Sequence, residues 1–253
     1  MIAEQDLVEY SIRLGDDALV LAQRLSEWST RAPELEEDIA LSNIALDLLG
    51  QARYLLTLAG NREGNGRSED DFAFRRSERE FRNLRLVEQP NGDFAYTVTR
   101  QLLFSAYQVE LYRELAASAD IELGGIAAKA LKEVTYHREH AANWTVRLGD
   151  GTDESHGRMV KALTSLWPYT AELFETDGLL VRLSAVGIAA DPARMQPSWE
   201  SFVIGILNRS NLAIPKSGVR RPTGGRRGLH GEVFGHLLAE MQWLHRSYPG
   251  VKW

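Results

Sequence analysis

The chain has no cysteine among its 253 residues, which excludes disulfide bonds, thiolate metal sites and a cysteine nucleophile. It also has no apolar run near the roughly 18 residues that a membrane-spanning helix needs. The acidic start, Met1–Asp6, does not fit a signal peptide. A net charge of −6 gives no reason to expect nucleic acid or an anionic membrane as a partner. We therefore expect a cytoplasmic protein.

Histidine is absent before position 137. The six histidines are His137, His140, His156, His230, His236 and His245. A four-helix di-iron site takes a carboxylate from each of two helices and a Glu-x-x-His pair from each of the other two. A second histidine ligand from an early helix is therefore excluded.

What the chain does have is helical periodicity almost throughout. A first stripe at steps of three and four consists of Leu7, Tyr10, Leu14, Ala18, Leu21, Leu25 and Trp28. A second helix follows Pro33 and runs to about Gly60. Its central part, residues 39–49, has only Ser42, Asn43 and Asp47 as polar residues, so we expect this helix to be buried at the centre of a bundle.

Further helix signals complete the architecture. Ser77 and Glu80 have capping-box spacing, and Asp93 is placed to cap a third long helix. A fourth runs from about 121 to 149, and a last helix from about 232 to 248. The pattern predicts an all-α, ferritin-like four-helix bundle with additional C-terminal helices. We expect a single domain over 1–253, with a core bundle at about 5–150 and a C-terminal helical extension at about 151–253.

The candidate site lies on these helices. At 100° per residue, Glu133 and His137 share a sector of the fourth helix, and Gln101 lies near the apolar face of the third. Asn43 and Asp47 are one turn apart on the second. A di-iron centre needs several anionic oxygens, and an amide supplies none. We interpret the five residues as a vestigial polar network in which a buried Asp47 requires a partner such as His137 or Arg53. An altered metal site and plain surface positions remain alternatives.

Two weaker signals lie further along the chain. A glycine-rich loop contains Arg226 and Arg227 and follows Arg220 and Arg221. It could dock on a partner or bind a phosphate, although it matches no phosphate-binding fingerprint. His236 and Glu240 form an i, i+4 pair, which helix surfaces often produce without a metal. No catalytic, cofactor-binding or metal-binding residue is assigned.

The chain resembles the C-subunit family of bacterial phenylacetyl-CoA 1,2-epoxidase from about residue 7 to Trp253. The stretches that carry the resemblance are Leu14–Asp17, Ala32–Leu41, Leu46–Arg53, Val87–Ala95, Gly149–Asp153, Thr223–His230 and Leu238–Gln242. Each stretch is weak alone, and together they are specific.

The resemblance implies a place in a multicomponent monooxygenase of aerobic phenylacetate catabolism. In that complex a sister chain, the catalytic A subunit, holds the di-iron centre and epoxidises the ring of phenylacetyl-CoA with O2. A reductase with FAD and an iron–sulfur cluster supplies electrons from NADPH, and the small B subunit helps assembly. The C subunit is implied to share the fold of the catalytic one and to support it without metal ligands or a cofactor of its own.

Two hypotheses of different classes follow. The first is a non-catalytic structural subunit with the di-iron catalytic subunit and the small B subunit as partners, whose arginine loop contacts coenzyme A at a subunit boundary. The second is a self-sufficient ferritin-like oxygenase with an altered metal site. Whether the chain itself is catalytic is left open by the residues alone.

Overall fold

A computed structural model of the chain describes residues 4–216 and 222–251, which are helical almost throughout. These residues form nine α-helices and three 3₁₀ segments, and no β-strand occurs among them. The helices are α1 (Glu4–Ser26), α2 (Leu35–Glu63), α3 (Glu69–Phe74), α4 (Phe94–Leu115), α5 (Ile121–Gly149), α6 (Asp153–Leu166), α7 (Gly178–Ser184), α8 (Pro192–Arg209) and α9 (Glu232–Ser247). The predicted all-α class is confirmed. None of the described helices is long and apolar enough to cross a membrane.

The helix boundaries follow the predicted local signals. The Asp93 carboxylate accepts a hydrogen bond from the Tyr96 amide at 2.9 Å and so caps α4. The Glu80 carboxylate accepts from the Ser77 amide at 2.8 Å, in the predicted capping box of a short 3₁₀ segment. Helix α5 has the predicted ends. The Trp167–Pro168 pair, predicted inside a helix, begins the 3₁₀ segment Trp167–Phe174, because a proline there cannot continue the α-helical hydrogen bonding of α6.

The chain divides into two compact units. Unit 1 comprises residues up to Pro90 together with those from Gly224 onward, and unit 2 comprises Asn91–Thr223. Helices α1 and α2 form an antiparallel hairpin in unit 1, and α9 belongs to the same unit. In unit 2, α4 and α5 form the second hairpin, and α6 and α8 pack on α4. The residues after 150 therefore contribute to both units.

The prediction that α2 is buried on all sides is wrong. Its Leu41, Ile44, Leu48 and Leu55 are buried, but another face is exposed over most of the helix. The exposed apolar residues of α2 are Leu35, Ile39, Leu46, Leu49 and Tyr54. Helix α1 is instead buried almost all round, although it contains several charged residues. Composition alone did not reveal this, because the charges of α1 are satisfied inside the unit.

Unit 2 is centred on α4, which is also buried on nearly every side. The indole of Trp199 on α8 donates to the Leu103 carbonyl oxygen of α4 at 2.9 Å. The ring of Trp199 also lies 5.3 Å from that of Phe174, edge to face. This contact fixes the 3₁₀ segment against α8.

Candidate functional site

The α4–α5 polar face, defined here as Gln101, Gln108 and His137, lies within unit 2. All three side chains are buried. The Oε1 atom of Gln101 accepts no hydrogen bond from the described residues. Glu133 lies one turn from His137 and is half-buried, with its carboxylate 3.9 Å from the Lys129 ammonium group. Amides and an imidazole can form hydrogen bonds here, but only Glu133 adds an anionic oxygen.

The other two predicted network residues lie on α2 in unit 1. Asn43 is exposed and Asp47 is half-buried. The premise that Asp47 is buried is therefore wrong, and its carboxylate needs no internal partner to escape a large desolvation cost. Arg53, the suggested partner, is exposed and lies 3.7 Å from Glu69. That all five residues form one vestigial network stays a prediction.

Metal-binding geometry is limited in the part of the chain that the structure describes. Within it, no group of three or more histidine and acidic side chains is arranged to hold a metal ion. His236 and Glu240 lie on the exposed side of α9.

A second polar assembly, which sequence reasoning missed, lies in unit 1. We call it the charged cluster and define it as Asp16, Asp17, Arg76, Glu88, Arg226 and His230. Asp16 on α1 is fully buried, and its carboxylate pairs with the buried guanidinium of Arg76. The same carboxylate accepts from the Arg82 amide at 2.8 Å. The Arg76 guanidinium also lies over the Phe81 ring, 4.2 Å from its centroid. Both charges are thus satisfied without water.

Asp17, the next residue, binds a different part of the chain. Its carboxylate accepts from the Leu84 amide at 2.7 Å and from the Arg226 guanidinium at 2.7 Å. Burial raises the pKa of the Asp17 carboxyl from 3.8 to about 6, although the Arg226 charge and the Leu84 hydrogen bond act to lower it. Desolvation is therefore the larger effect at this carboxylate.

Arg226 is held within unit 1 by three acceptors. Besides Asp17, its guanidinium donates to the carbonyl oxygens of Arg13 at 2.9 Å and Arg82 at 2.8 Å. Gly225 permits this approach, because a Cβ there would lie 2.1 Å from the Asn83 carbonyl oxygen. Gly228 has φ +73°, and a Cβ there would lie 2.2 Å from the Arg79 carbonyl oxygen. The glycines of this loop therefore serve close packing against residues 79–83.

The other arginines of the loop differ from Arg226. Arg227 is exposed. Arg220 and Arg221 lie outside the described residues. The contact of this loop with coenzyme A or a partner stays a prediction, for which Arg227 offers an accessible guanidinium and Arg226 does not.

Glu88 completes the charged cluster. Its carboxylate lies 2.8 Å from Nδ1 of His230 and accepts from the Gly231 amide at 2.7 Å. Its backbone carbonyl accepts two hydrogen bonds from the Arg24 guanidinium, at 3.0 and 2.8 Å. Glu88 thus connects α1, the 80s segment and the start of α9.

Three of the stretches that carried the sequence resemblance meet in this cluster. Leu14–Asp17 supplies Asp16 and Asp17, Val87–Ala95 supplies Glu88, and Thr223–His230 supplies Arg226 and His230. The available signal was a pair of aspartates inside the apolar stripe of α1. Such residues need buried partners, but the sequence does not say which.

The comparisons with known proteins agree with this pattern. Residues 2–253 match the model of a family described as phenylacetic acid catabolic protein. The chain is also 50% identical over 247 residues to the C subunit of 1,2-phenylacetyl-CoA epoxidase from Escherichia coli (strain K12), which covers 98% of this chain and 99% of that protein. The resemblance to the C-subunit family is confirmed, and so is the ferritin-like helical fold expected from it. The chain belongs to the phenylacetic acid catabolic protein family.

Proposed function

We propose that this chain is a non-catalytic structural subunit of a phenylacetyl-CoA 1,2-epoxidase complex of aerobic phenylacetate catabolism. The observation that carries the proposal is the 50% identity to the epoxidase C subunit along almost the full length of both chains. In the proposed complex the di-iron catalytic subunit epoxidises the ring of phenylacetyl-CoA with O2. The small B subunit and a reductase with FAD and an iron–sulfur cluster complete the complex, and NADPH supplies the electrons. The location is cytoplasmic.

The donor set of unit 2 supports a role without a resident di-iron centre. Gln101 and Gln108 occupy the buried face of α4 with neutral amides. A di-iron centre needs anionic oxygens to balance its charge, and an amide cannot supply them. Within this unit Glu133 and His137 are i, i+4 on α5, not the i, i+3 spacing of the di-iron motif.

The charged cluster supports a role in which this chain is a rigid part of an assembly. Its buried pairs tie α1 to residues 76–88 and to the loop at Arg226. None of these charges is exposed enough to act on a substrate. They are used to hold unit 1 in one conformation.

Metal analysis of the purified chain, alone and in the assembled complex, tests the proposal. We expect no stoichiometric iron and no oxygenase activity in the isolated chain, and iron with activity only when the di-iron catalytic subunit is present. Iron bound by the isolated chain and lost in the Glu133→Gln/His137→Gln variant would overturn the proposal. That result would favour a self-sufficient oxygenase with an altered metal site.

A further inference from the structure

The outer face of α2 consists of Leu35, Ile39, Leu46, Leu49 and Tyr54, and it is the feature of unit 1 that its own fold does not explain. Leu35 is 72% exposed and Leu46 is 65% exposed. The four aliphatic residues recur at helical spacing and form one stripe. At 1.5 Å per residue, the distance from Leu35 to Tyr54 is about 28 Å. A single exposed leucine is ordinary, but a continuous apolar stripe of this length is typical of a contact surface.

A groove continues this face toward α1. It has a volume of about 450 Å³ and lies between α1, α2 and the residues Phe74 and Met241. On the α2 side its wall includes Leu46 and Leu49 of the outer face. Leu244, which is 45% exposed, follows Met241 by one turn of α9. A stripe about 28 Å long and 10 Å wide covers only about a third of the ~800 Å² that each partner contributes to a standard interface, so this continuation matters.

The charges around the outer face are acidic. The start of α2 contributes Glu34, Glu36, Glu37 and Asp38, and Asp47 lies beside Leu46. The two arginines toward the other end of α2 have acidic neighbours in the same chain. Arg53 lies 3.7 Å from Glu69, and Arg62 lies 2.9 Å from Glu4. A complementary surface is therefore apolar in its middle and basic at its rim.

A second copy of the chain does not meet this requirement. A two-fold axis through the middle of the stripe would bring Asp47 of one copy close to Asp47 of the other. Each copy also carries a net charge of −6. Like charges opposed across an interface disfavour that pairing. A different protein of the complex, with a basic rim, fits better.

We propose that the outer face of α2 and its groove bind an apolar helix of the di-iron catalytic subunit of the complex. This inference rests on the proposed function, because it takes the partner from there. The leucines fill the apolar middle of the interface, and the acidic start of α2 meets basic residues at its edge. The apolar stripe of α2 is thereby removed from water.

The test is binding of the purified full-length chain to the purified di-iron catalytic subunit, measured by calorimetry. The variant is Leu46→Lys, which puts a cation where the partner has an apolar surface and a basic rim. Val181→Lys is the matched control, because Val181 is 56% exposed on α7 in unit 2. We expect Leu46→Lys to weaken binding about 30-fold or more, as loss of a central interface residue does, and Val181→Lys to change it less than about threefold.

A second measurement makes the result independent of any effect of lysine on folding. A photo-crosslinking amino acid replaces Leu46 in one sample and Val181 in another. Crosslinks to the di-iron catalytic subunit from position 46 and none from position 181 support the inference. Equal circular dichroism spectra of the variants confirm that the exposed substitutions leave the helices intact.

The outcomes separate the two proposals. Failure of the wild-type chain to bind the di-iron catalytic subunit overturns the proposed function, and this inference with it. Binding that is equally tight for wild type and Leu46→Lys, without crosslinks at 46, overturns only the inference and leaves the proposed function standing. A dimer of the chain alone that Leu46→Lys dissociates shows a second copy on this face and also overturns it.

Discussion

The two units bury polar groups in different ways. The charged cluster of unit 1 joins ionised side chains from segments far apart in sequence, such as Asp16 with Arg76 and Asp17 with Arg226. The α4–α5 polar face of unit 2 buries two neutral amides and an imidazole on neighbouring helices. Breaking a buried ion pair leaves a charge without solvation, whereas replacing a neutral amide by an apolar group of similar size costs little. The stability of unit 1 therefore depends on single residues to a degree that unit 2 does not share.

The largest effect is expected at Asp16. Asp16→Ala leaves the guanidinium of Arg76, which is 5% exposed, without its carboxylate. We expect the free energy of unfolding of unit 1 to fall by about 3 to 5 kcal/mol. Urea denaturation with hydrogen exchange of the α1 amides measures it. The Asp16→Ala/Arg76→Met double variant is the control and recovers part of the loss, since it leaves no unpaired charge. A loss below about 1 kcal/mol in the single variant contradicts the ion pair.

The next effect concerns pH and Asp17. The pKa of this carboxyl is about 6 in the folded chain and 3.8 as its ordinary value, so between pH 4 and 6 the folded state binds more protons than the unfolded state. The contribution of Asp17 to the free energy of unfolding is thus largest below pH 4 and falls by about 3 kcal/mol as pH rises through 6. Asp17→Asn removes this dependence. The difference in stability between wild type and variant should move toward the variant by that amount between pH 4 and 7.

Glu80 provides the comparison of opposite sign. Hydrogen bonds from the Ser77 hydroxyl and amide lower the pKa of the Glu80 carboxyl below 4.5. Its contribution is present above the unfolded pKa and is lost as pH falls through the folded one. Glu80→Gln should therefore narrow the gap to wild type in acid, where Asp17→Asn widens it. A pH-independent difference for Asp17→Asn contradicts the desolvation argument.

How far the sequence predicts this molecule depends on the range of the interaction. Local signals such as Asp93 before α4 and Ser77 three residues before Glu80 predicted the helix ends, because their partners lie within one turn. The charged cluster was missed, because Asp17 binds Arg226, 209 residues away, and no periodicity encodes that pairing. The error at α2 has a related cause. An apolar helix looks the same in sequence whether its leucines are covered by its own chain or by another surface.

A smaller and more selective effect is expected in the loop after Gly224. Arg226→Ala removes charge-assisted hydrogen bonds to Asp17 and to two carbonyl oxygens, and should lower the free energy of unfolding by about 2 to 3 kcal/mol. Arg227→Ala, at an exposed position, should change it by less than about 0.5 kcal/mol. Thermal denaturation compares the two variants. Equal losses contradict the distinction between them.

The same pair of variants sharpens the coenzyme A prediction. Because Arg226 is needed for stability, only Arg227→Ala tests phosphate contact cleanly. If the loop binds coenzyme A at a subunit boundary, Arg227→Ala weakens phenylacetyl-CoA binding by the assembled complex about fivefold, as loss of about 1 kcal/mol implies. Unchanged affinity in a titration of the complex removes coenzyme A as the partner of this loop.

The smallest effect is expected at Gln101 in unit 2. Its Oε1 atom accepts no hydrogen bond from the described residues, and its side chain is 3% exposed. Gln101→Met keeps the length of the side chain and removes polar atoms from a buried position, so the free energy of unfolding should change by less than about 1 kcal/mol or rise. Urea denaturation of the variant measures this, with Asp16→Ala as the contrasting case. A loss of about 3 kcal/mol at Gln101 would mean that the neutral face is as demanding as the charged cluster. The two units would then not differ in how single buried polar residues support them.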